Sequence, residues 1–258
     1  LEAGGPDRHP FIHMPAGFAK LATSKSVNWC YETEPVPQMN GRRMFWPRGK
    51  VLGGSSSINA MCYCRGHRAD SDSWAENGAG DWGYKDVLPH FLASEDHEDG
   101  PSEYHGSGGP LSVRRLRHTN PLSGVFIEAS VQAGHPRTDD FNGPHQRGVD
   151  YYQVTQRNGR RCSSAVAYLR PAMKRPNLTV RTRAQTTRLL LDGLRATGVE
   201  FQQSGKLQLA HGGNIILSSG AINSPQLLLL SGIGPADTLA KAGIETVHDL
   251  PGVGENLQ

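Results

Sequence analysis

The chain has 258 residues, a hydrophobic fraction of 36% and a formal net charge of +3, with a mean hydropathy of −0.49 and an isoelectric point near 8.7. This composition is lean but globular, enough for one large domain or two small ones, and its charge is too mild to point to nucleic acid as a partner. No apolar run approaches the ~20 residues of a transmembrane span, and the four cysteines (Cys30, Cys62, Cys64, Cys162) are too few for a disulfide scaffold, which makes a reducing cytosol the default compartment.

In chain order, "LEAGGPDR" reads as the end of a strand entering a Gly-Pro turn, with nothing ahead of it to pair with. It predicts a chain that starts inside a domain. No Met and no signal-peptide pattern open the sequence. Residues 5–48 are rich in Gly and Pro and lack periodicity, which predicts long loops with short helical turns. "RGKVLGGSSSINAMCYCRG" follows at 48–66. The Gly53-Gly54 pair lets backbone approach a ligand, and serines ahead of an apolar run are helix-capping chemistry, so a helix is expected from Ser57 to about Arg65. A helix N-terminus there, with Arg48 and Lys50 nearby, would suit an anion such as a diphosphate. Two other readings stay open for this stretch. One is a plain Gly/Ser turn capped by Ser57. The other is a serine nucleophile, although no Gly-x-Ser-x-Gly elbow and no Ser/His/Asp set can be assigned.

"GAGDWG" (78–83) has dinucleotide-type glycine spacing, but "DSDSWAEN" before it is no strand, so it is read as a loop between helices. "YKDVLPHFLASED" (84–96) is patterned as an amphipathic helix. "HEDGPSEYHGSGGP" (97–110) is a loop by composition, and its carboxylates and histidines lack metal-ligand spacing, so it is expected to be solvated. Cys62 and Cys64 have no second Cys/His pair, and no metal site is assigned. "PLSGVFIEASVQAG" (121–134) predicts a helix ending at Gly134. "VDYYQVTQ", "NLTVRTRA", "TTRLLLDG", "TGVEFQ" and "KLQLA" are short β-rich runs separated by turns. "GGNIILSSGAINSPQLLLLSGIG" (212–234) reads as a buried strand at Ile215, Ile216 and Leu217, a small-residue turn, and a helix beginning near Asn223. Strand, tight turn and helix is how nucleotide-binding α/β sheets present backbone to a cofactor, though alone it is an ordinary βα unit.

Together, "GKVLGGSSSINAMCYCRGHRADSD" and "GAINSPQLLLLSGIG" resemble the two signatures of the glucose–methanol–choline (GMC) family of flavin oxidoreductases. "WAENGAGDWGYKDVLPHF", "YHGSGGPLSV", "RRCSSAVAYLRPAMKRPNLTVRTRA" and "GIETVHDLPGVGENLQ" extend the resemblance along essentially the whole chain, most closely to bacterial alcohol and choline dehydrogenases. The resemblance implies an α/β fold: a Rossmann-like FAD-binding domain with part of an inserted antiparallel substrate domain. Residues 1–110 and 161–258 would belong to the FAD-binding domain, and 111–160 would lead into the substrate domain. In the family the first strand and dinucleotide fingerprint precede "LEAGG", and the catalytic histidine follows "GVGENLQ". The chain is therefore expected to be an internal fragment that carries no catalytic base.

The resemblance also implies site residues. Glu2 would accept hydrogen bonds from the adenosine ribose. Val51 and Ser55 would border the FAD, and Asn59, Ala60, Met61 and Cys62 would pass the isoalloxazine. Thr186 would touch adenine through its backbone, and the turn at Gly220-Ala221 would approach the cofactor. With no histidine among the "GGSSS" positions, FAD is expected to bind noncovalently. The implied reaction is oxidation of a small alcohol by hydride transfer to flavin N5. The acceptor, oxygen or a quinone-linked carrier, is left open. The other reading is a truncated, non-catalytic chain that at most binds nucleotide or a partner. The expected location is cytoplasmic, with peripheral membrane attachment left open.

Overall fold

β-branched and apolar residues recur through 184–211, and two turn signals punctuate them. In the computed structural model, which describes residues 1–257, this run forms three antiparallel strands, Ala184–Asp192, Arg195–Gln203 and Lys206–His211, with the middle one central. Both connections are two-residue hairpins. Ser204 and Gly205 adopt φ of 53° and 75°, the left-handed pair that matches strand twist. Phe201 is fully buried in the middle strand. The helix Gly220–Leu230 docks on this sheet through its C-terminal end, where Ser231 Oγ accepts the Leu189 amide (2.8 Å) and donates to the Leu227 carbonyl (2.6 Å).

The chain divides into two units. The first joins Leu1–Pro6 to the chain from Val180 onward. Its N-terminal residues lie along the stretch leading into the sheet: the Ala184 amide donates to the Glu2 carbonyl (2.9 Å) and the Arg183 amide to the Gly4 carbonyl (2.7 Å).

The second unit is Asp7–Thr179. Short helical turns at Pro10–His13, Pro15–Gly17 and Phe18–Leu21 follow the Pro/Gly pattern of its first segment. They bury Ile12 and Leu21 against Val27, Val51 and Ile58. Two helices, Arg68–Glu76 and Tyr84–Ser94, flank a short turn at Gly80–Trp82, so "GAGDWG" is the expected interhelical loop. The helix Pro121–Gln132 starts where Asn120 Oδ1 accepts the Leu122 amide and ends before Gly134 at φ 92°.

Three expectations are corrected. No helix runs from Ser57 to Arg65. A single 3₁₀ turn, Gly54–Ser57, gives way to extended chain, and Cys62–Tyr63 pairs with Gln153–Val154. The serines do not cap a helix: Ser56 Oγ donates to the Gly53 carbonyl and Ser57 Oγ to the Leu52 carbonyl, and Met61 at φ 63° turns the chain away. No strand forms at Ile215–Leu217, and Ile216 is 85% exposed. A strand apolar on both faces needs neighbours in a parallel sheet, and none of the described strands flanks it. The 97–110 segment is a loop and is exposed at Asp99, Pro101, Ser102, Glu103, Ser107 and Gly108, but its histidines are not solvated. His97 and His105 are buried, and Gly106 and Gly109 press so closely on Leu92 and Glu95 that a Cβ at either would overlap backbone.

Candidate functional site

Within the second unit, the glycine-rich stretch is a tight turn held from three sides. Gly53 and Gly54 take φ of 89° and 54° in succession, a geometry that side chains resist. A Cβ on Gly53 would sit 2.4 Å from Ser57 Oγ, whereas one on Gly54 would meet nothing. Ser164 clamps the turn: its amide donates to Ser56 Oγ (2.9 Å) and its hydroxyl to the Gly53 carbonyl (3.1 Å). Asn28 ties the preceding segment, its Oδ1 accepting the amides of Cys30 and Arg48 (both 2.9 Å). The chain that leaves the turn sorts its side chains. Val51, Ile58 and Met61 are buried, while Ser55, Asn59, Ala60 and Cys62 are exposed. A row of small exposed side chains thus rests on an apolar bed.

The charge beneath that row is Arg161, which is 2% exposed. Its Nε donates to the Ile12 carbonyl (2.8 Å) and its Nη1 to the Ser56 carbonyl (3.1 Å) and Asn59 Oδ1 (2.7 Å). Its Nη2 is buried without a partner. Among the described residues no carboxylate pairs with it, and burial alone pushes the guanidinium down to about 10. Sequence reasoning matched "RRCSSAVAYLRPA" without assigning Arg161 or Ser164 a task. The available signal was a cation next to small residues ahead of an apolar helix, which fixes no geometry.

A second buried cluster lies elsewhere in the same unit. Glu95 is fully buried and accepts Arg65 Nη2 (2.8 Å), the Gly106 amide (2.9 Å) and His105 Nδ1 (3.1 Å). His105 Nε2 reaches Asp140 (2.7 Å). Burial opposes charge on His105, but the bonds to Asp140 and Glu95 outweigh it and raise the imidazole to about 9. Burial also works against ionisation of Glu95 and Asp140, yet their bonds to His105 hold both carboxyls below their ordinary range. Glu95, His97 and His105 offer ligand atoms within 4.8 Å of one another. Glu95 and His105 already use theirs on each other, Arg65 and Asp140. Of these ligand atoms only His97 Nε2 lacks a partner, and burial, helped by the charge of His105 beside it, pushes that imidazole below its ordinary value. A shallow groove beside Arg65, His67, Tyr84 and Asn142 includes none of the expected cofactor residues.

The other expected site residues lie in the first unit. Half-buried Glu2 turns its carboxylate onto its own backbone, with Oε1 accepting the Gly4 amide (2.7 Å). Thr186 sits in the first strand of the sheet opposite Phe201. Ala221 is exposed in the first turn of the helix Gly220–Leu230, whose Ser219 makes no side-chain cap and whose Gly220 has φ 87° with open space around it.

The sequence profile of the GMC oxidoreductases matches residues 16–258. The chain belongs to the GMC oxidoreductase family. Over its whole length this GMC chain is 48% identical to the alcohol dehydrogenase [acceptor] of Pseudomonas putida and 51% identical to an oxygen-dependent choline dehydrogenase of Pseudomonas putida strain KT2440, covering 48% and 47% of those proteins. It is 48% identical to human mitochondrial choline dehydrogenase over 96% of its length and 42% of that protein. Among solved structures it resembles pyridoxine 4-oxidase from "Mesorbium loti" (38% identity, TM-score 0.91, 97% of this chain and 50% of that one). It also resembles an FAD-dependent oxidoreductase from Chaetomium thermophilum (28% identity, TM-score 0.89, 100% and 47%). The chain spans about half the length of the curated relatives it matches. Its fold is the FAD-binding α/β fold of this family. None of the described helices is long and apolar enough to cross a membrane.

The GMC turn fits a flavin on two observations. The open space at Gly54 and the small side chains from Ser55 to Cys62 leave backbone approachable by a flat ring. Arg161 Nη2 is a buried donor lacking an acceptor, at a site whose expected ligand is rich in carbonyl and ring-nitrogen acceptors. The helix-dipole argument for 57–65 does not survive, because a four-residue 3₁₀ turn has no macrodipole of consequence.

Proposed function

We propose that the chain supplies the flavin-facing half of an FAD-dependent oxidoreductase acting on a small primary alcohol. The observation that carries this is the exposed row Ser55, Asn59, Ala60 and Cys62 over buried Val51, Ile58 and Met61, with the Asn59 amide fixed from behind. In this reading Val51 and Ser55 border the FAD, and Asn59 to Cys62 line its isoalloxazine. Glu2 reaches the ribose, Thr186 the adenine, and Gly220-Ala221 the phosphate-bearing part, where an uncapped helix start favours negative charge. Residues 1–110 and 161–258 form the FAD-binding domain, and 111–160 lead into the substrate domain. Binding is noncovalent.

When bound, FAD supplies the hydride acceptor, its N5. The residues of this chain hold the ring edge and keep water from one side of it, because Val51, Ile58 and Met61 form a dry backing. Alcohol and choline are the substrate names of the relatives, and they support the alcohol class here without choosing a member.

The test is anaerobic titration of the FAD-loaded protein, expressed from its complete reading frame, with ethanol, longer primary alcohols and choline. Bleaching of the visible flavin band by at least one of them is expected. Stoichiometric FAD that no alcohol bleaches would support the other reading, a nucleotide-binding chain without alcohol chemistry.

A further inference from the structure

Asn59 has one amide and two donors pointing at it. The Met61 amide (3.1 Å) and Arg161 Nη1 (2.7 Å) both end on Oδ1. Two donors require an oxygen, so the amide orientation is forced rather than chosen. The Asn59 Nδ2 hydrogens therefore point the other way, on an exposed side chain, and no acceptor among the described residues takes them. The same guanidinium holds the Ser56 and Ile12 carbonyls, so it cannot swing away without releasing the turn and the short helix Pro10–His13 together.

We propose that Arg161 is a positioning residue of the flavin site, which locks Asn59 so that its Nδ2 donor faces the cofactor. The inference rests on the flavin reading of residues 51–62. A guanidinium suits the task because its fork reaches three acceptors at once in one plane, which a lysine cannot do. The arrangement carries a cost that a purely structural device would avoid. A charge buried with no counter-ion bears a desolvation cost that a neutral donor in the same place would not. Here the cation is retained, one of its donors is left unused, and its reach ends on a side chain whose free donors face outward.

The test is a double-mutant cycle in the FAD-loaded protein expressed from its complete reading frame: Arg161→Met, Asn59→Ala and the pair, read by FAD dissociation constant and by the visible circular dichroism of the flavin. Loss of one hydrogen bond predicts about tenfold weaker FAD binding in either single variant. The flavin dichroism should change in the same sense in both. The double variant should be no weaker than Asn59→Ala, because Arg161 acts through that amide. Additive losses would overturn the inference, since Arg161 would then act independently. If Asn59→Ala perturbs the flavin while Arg161→Met binds FAD with unchanged affinity and dichroism, the positioning role is wrong and the flavin reading stands. If neither variant changes either readout, the assignment of 51–62 to the flavin fails, and the inference with it. Should Arg161→Met not fold, Arg161→Lys serves in its place. Its effect on FAD affinity must vanish when residue 59 is alanine, and an equal effect in both backgrounds overturns the proposal.

Discussion

Two buried arginines in one structural unit live under opposite rules. Arg65 is met by Glu95, and a second imidazolium–carboxylate contact, His105 with Asp140, closes the set with its charges balanced. Arg161 is also buried, and among the described residues it meets only neutral oxygens. In the first set each buried charge is spent on an opposite charge, which is how a structural cluster is built. The second keeps a charged donor, Arg161 Nη2, without an acceptor. This difference locates the candidate site better than concavity does, since the groove beside Arg65 borders the balanced cluster.

The charge balance of the first cluster depends most on Glu95. Glu95→Gln keeps the shape but removes the charge that both Arg65 and His105 face. Stranding buried cations this way should cost about 3–5 kcal/mol, read as a fall in the urea midpoint at constant slope. A loss under 1 kcal/mol would mean that the cluster is not balanced by Glu95.

His105 provides a pH test of the same cluster. Its folded value of about 9 lies above the ordinary 6.5. The contact therefore stabilises fully below pH 6.5 and is lost as pH rises through 9. The displacement corresponds to about 3 kcal/mol. Urea stability should decline between pH 7 and 9, and Asp140→Asn should flatten the decline by removing one of the two carboxylates. On the acid side the signs reverse: Glu95 and Asp140 are held below their ordinary range, so their contribution is present at neutral pH and lost as pH falls through their lowered values. A profile flat from pH 7 to 9 would refute the imidazolium.

The glycine pair sharpens the contrast between scaffold and ligand face. Gly53→Ala forces a side chain into φ 89° and against Ser57 Oγ, which is buried and bonded to the Leu52 carbonyl. A stability loss of about 1–3 kcal/mol is expected. Gly54→Ala meets open space and bears only the left-handed penalty, about 1 kcal/mol. FAD affinity should rank the other way once stability is allowed for, because the Gly54 methyl points into the space left for the ligand. Calorimetry and FAD titration on the same samples would show whether the two rankings cross.

Much of the architecture was legible in the residues. The helices at 84–94 and 121–132 and the meander at 184–211 follow from local pattern, capping and turn chemistry, which act within a few residues. The failures share one cause. Ser57 to Arg65 looks helical locally, yet Ser164 and Arg161, about a hundred residues on, take the groups a helix would need. Ile215 to Leu217 looks like a strand, yet a strand is a property of its neighbours. His97 and His105 look solvated by composition, yet Glu95 and Asp140, 10 and 35 residues from His105, hold it inside, and the His97 ring packs on it. The site followed the same division: its stretch was recognisable, while the cation that organises it was not, because no local pattern distinguishes a buried arginine from a surface one.

The smallest effect expected is also the one that separates the two arginines most directly. Asn59→Asp places a carboxylate on the unpaired guanidinium. One oxygen keeps the donors from Met61 and Arg161, and the other takes the exposed Nδ2 position, where water can solvate it. The desolvation cost is thus partial while the attraction to a buried cation is strong. Without FAD the variant should gain about 1 kcal/mol over the parent at pH 7. Because Arg161 would hold the new carboxyl below its ordinary range, that gain should persist through neutral pH and vanish as the solution is acidified through the lowered value. With FAD the sign should invert, since a donor that faces the cofactor has become a charged acceptor, and the ring gains negative charge when hydride arrives. Parallel denaturation of apo and FAD-loaded protein would read both. A loss of stability in the apo variant would mean that Arg161 is already balanced by another negative group.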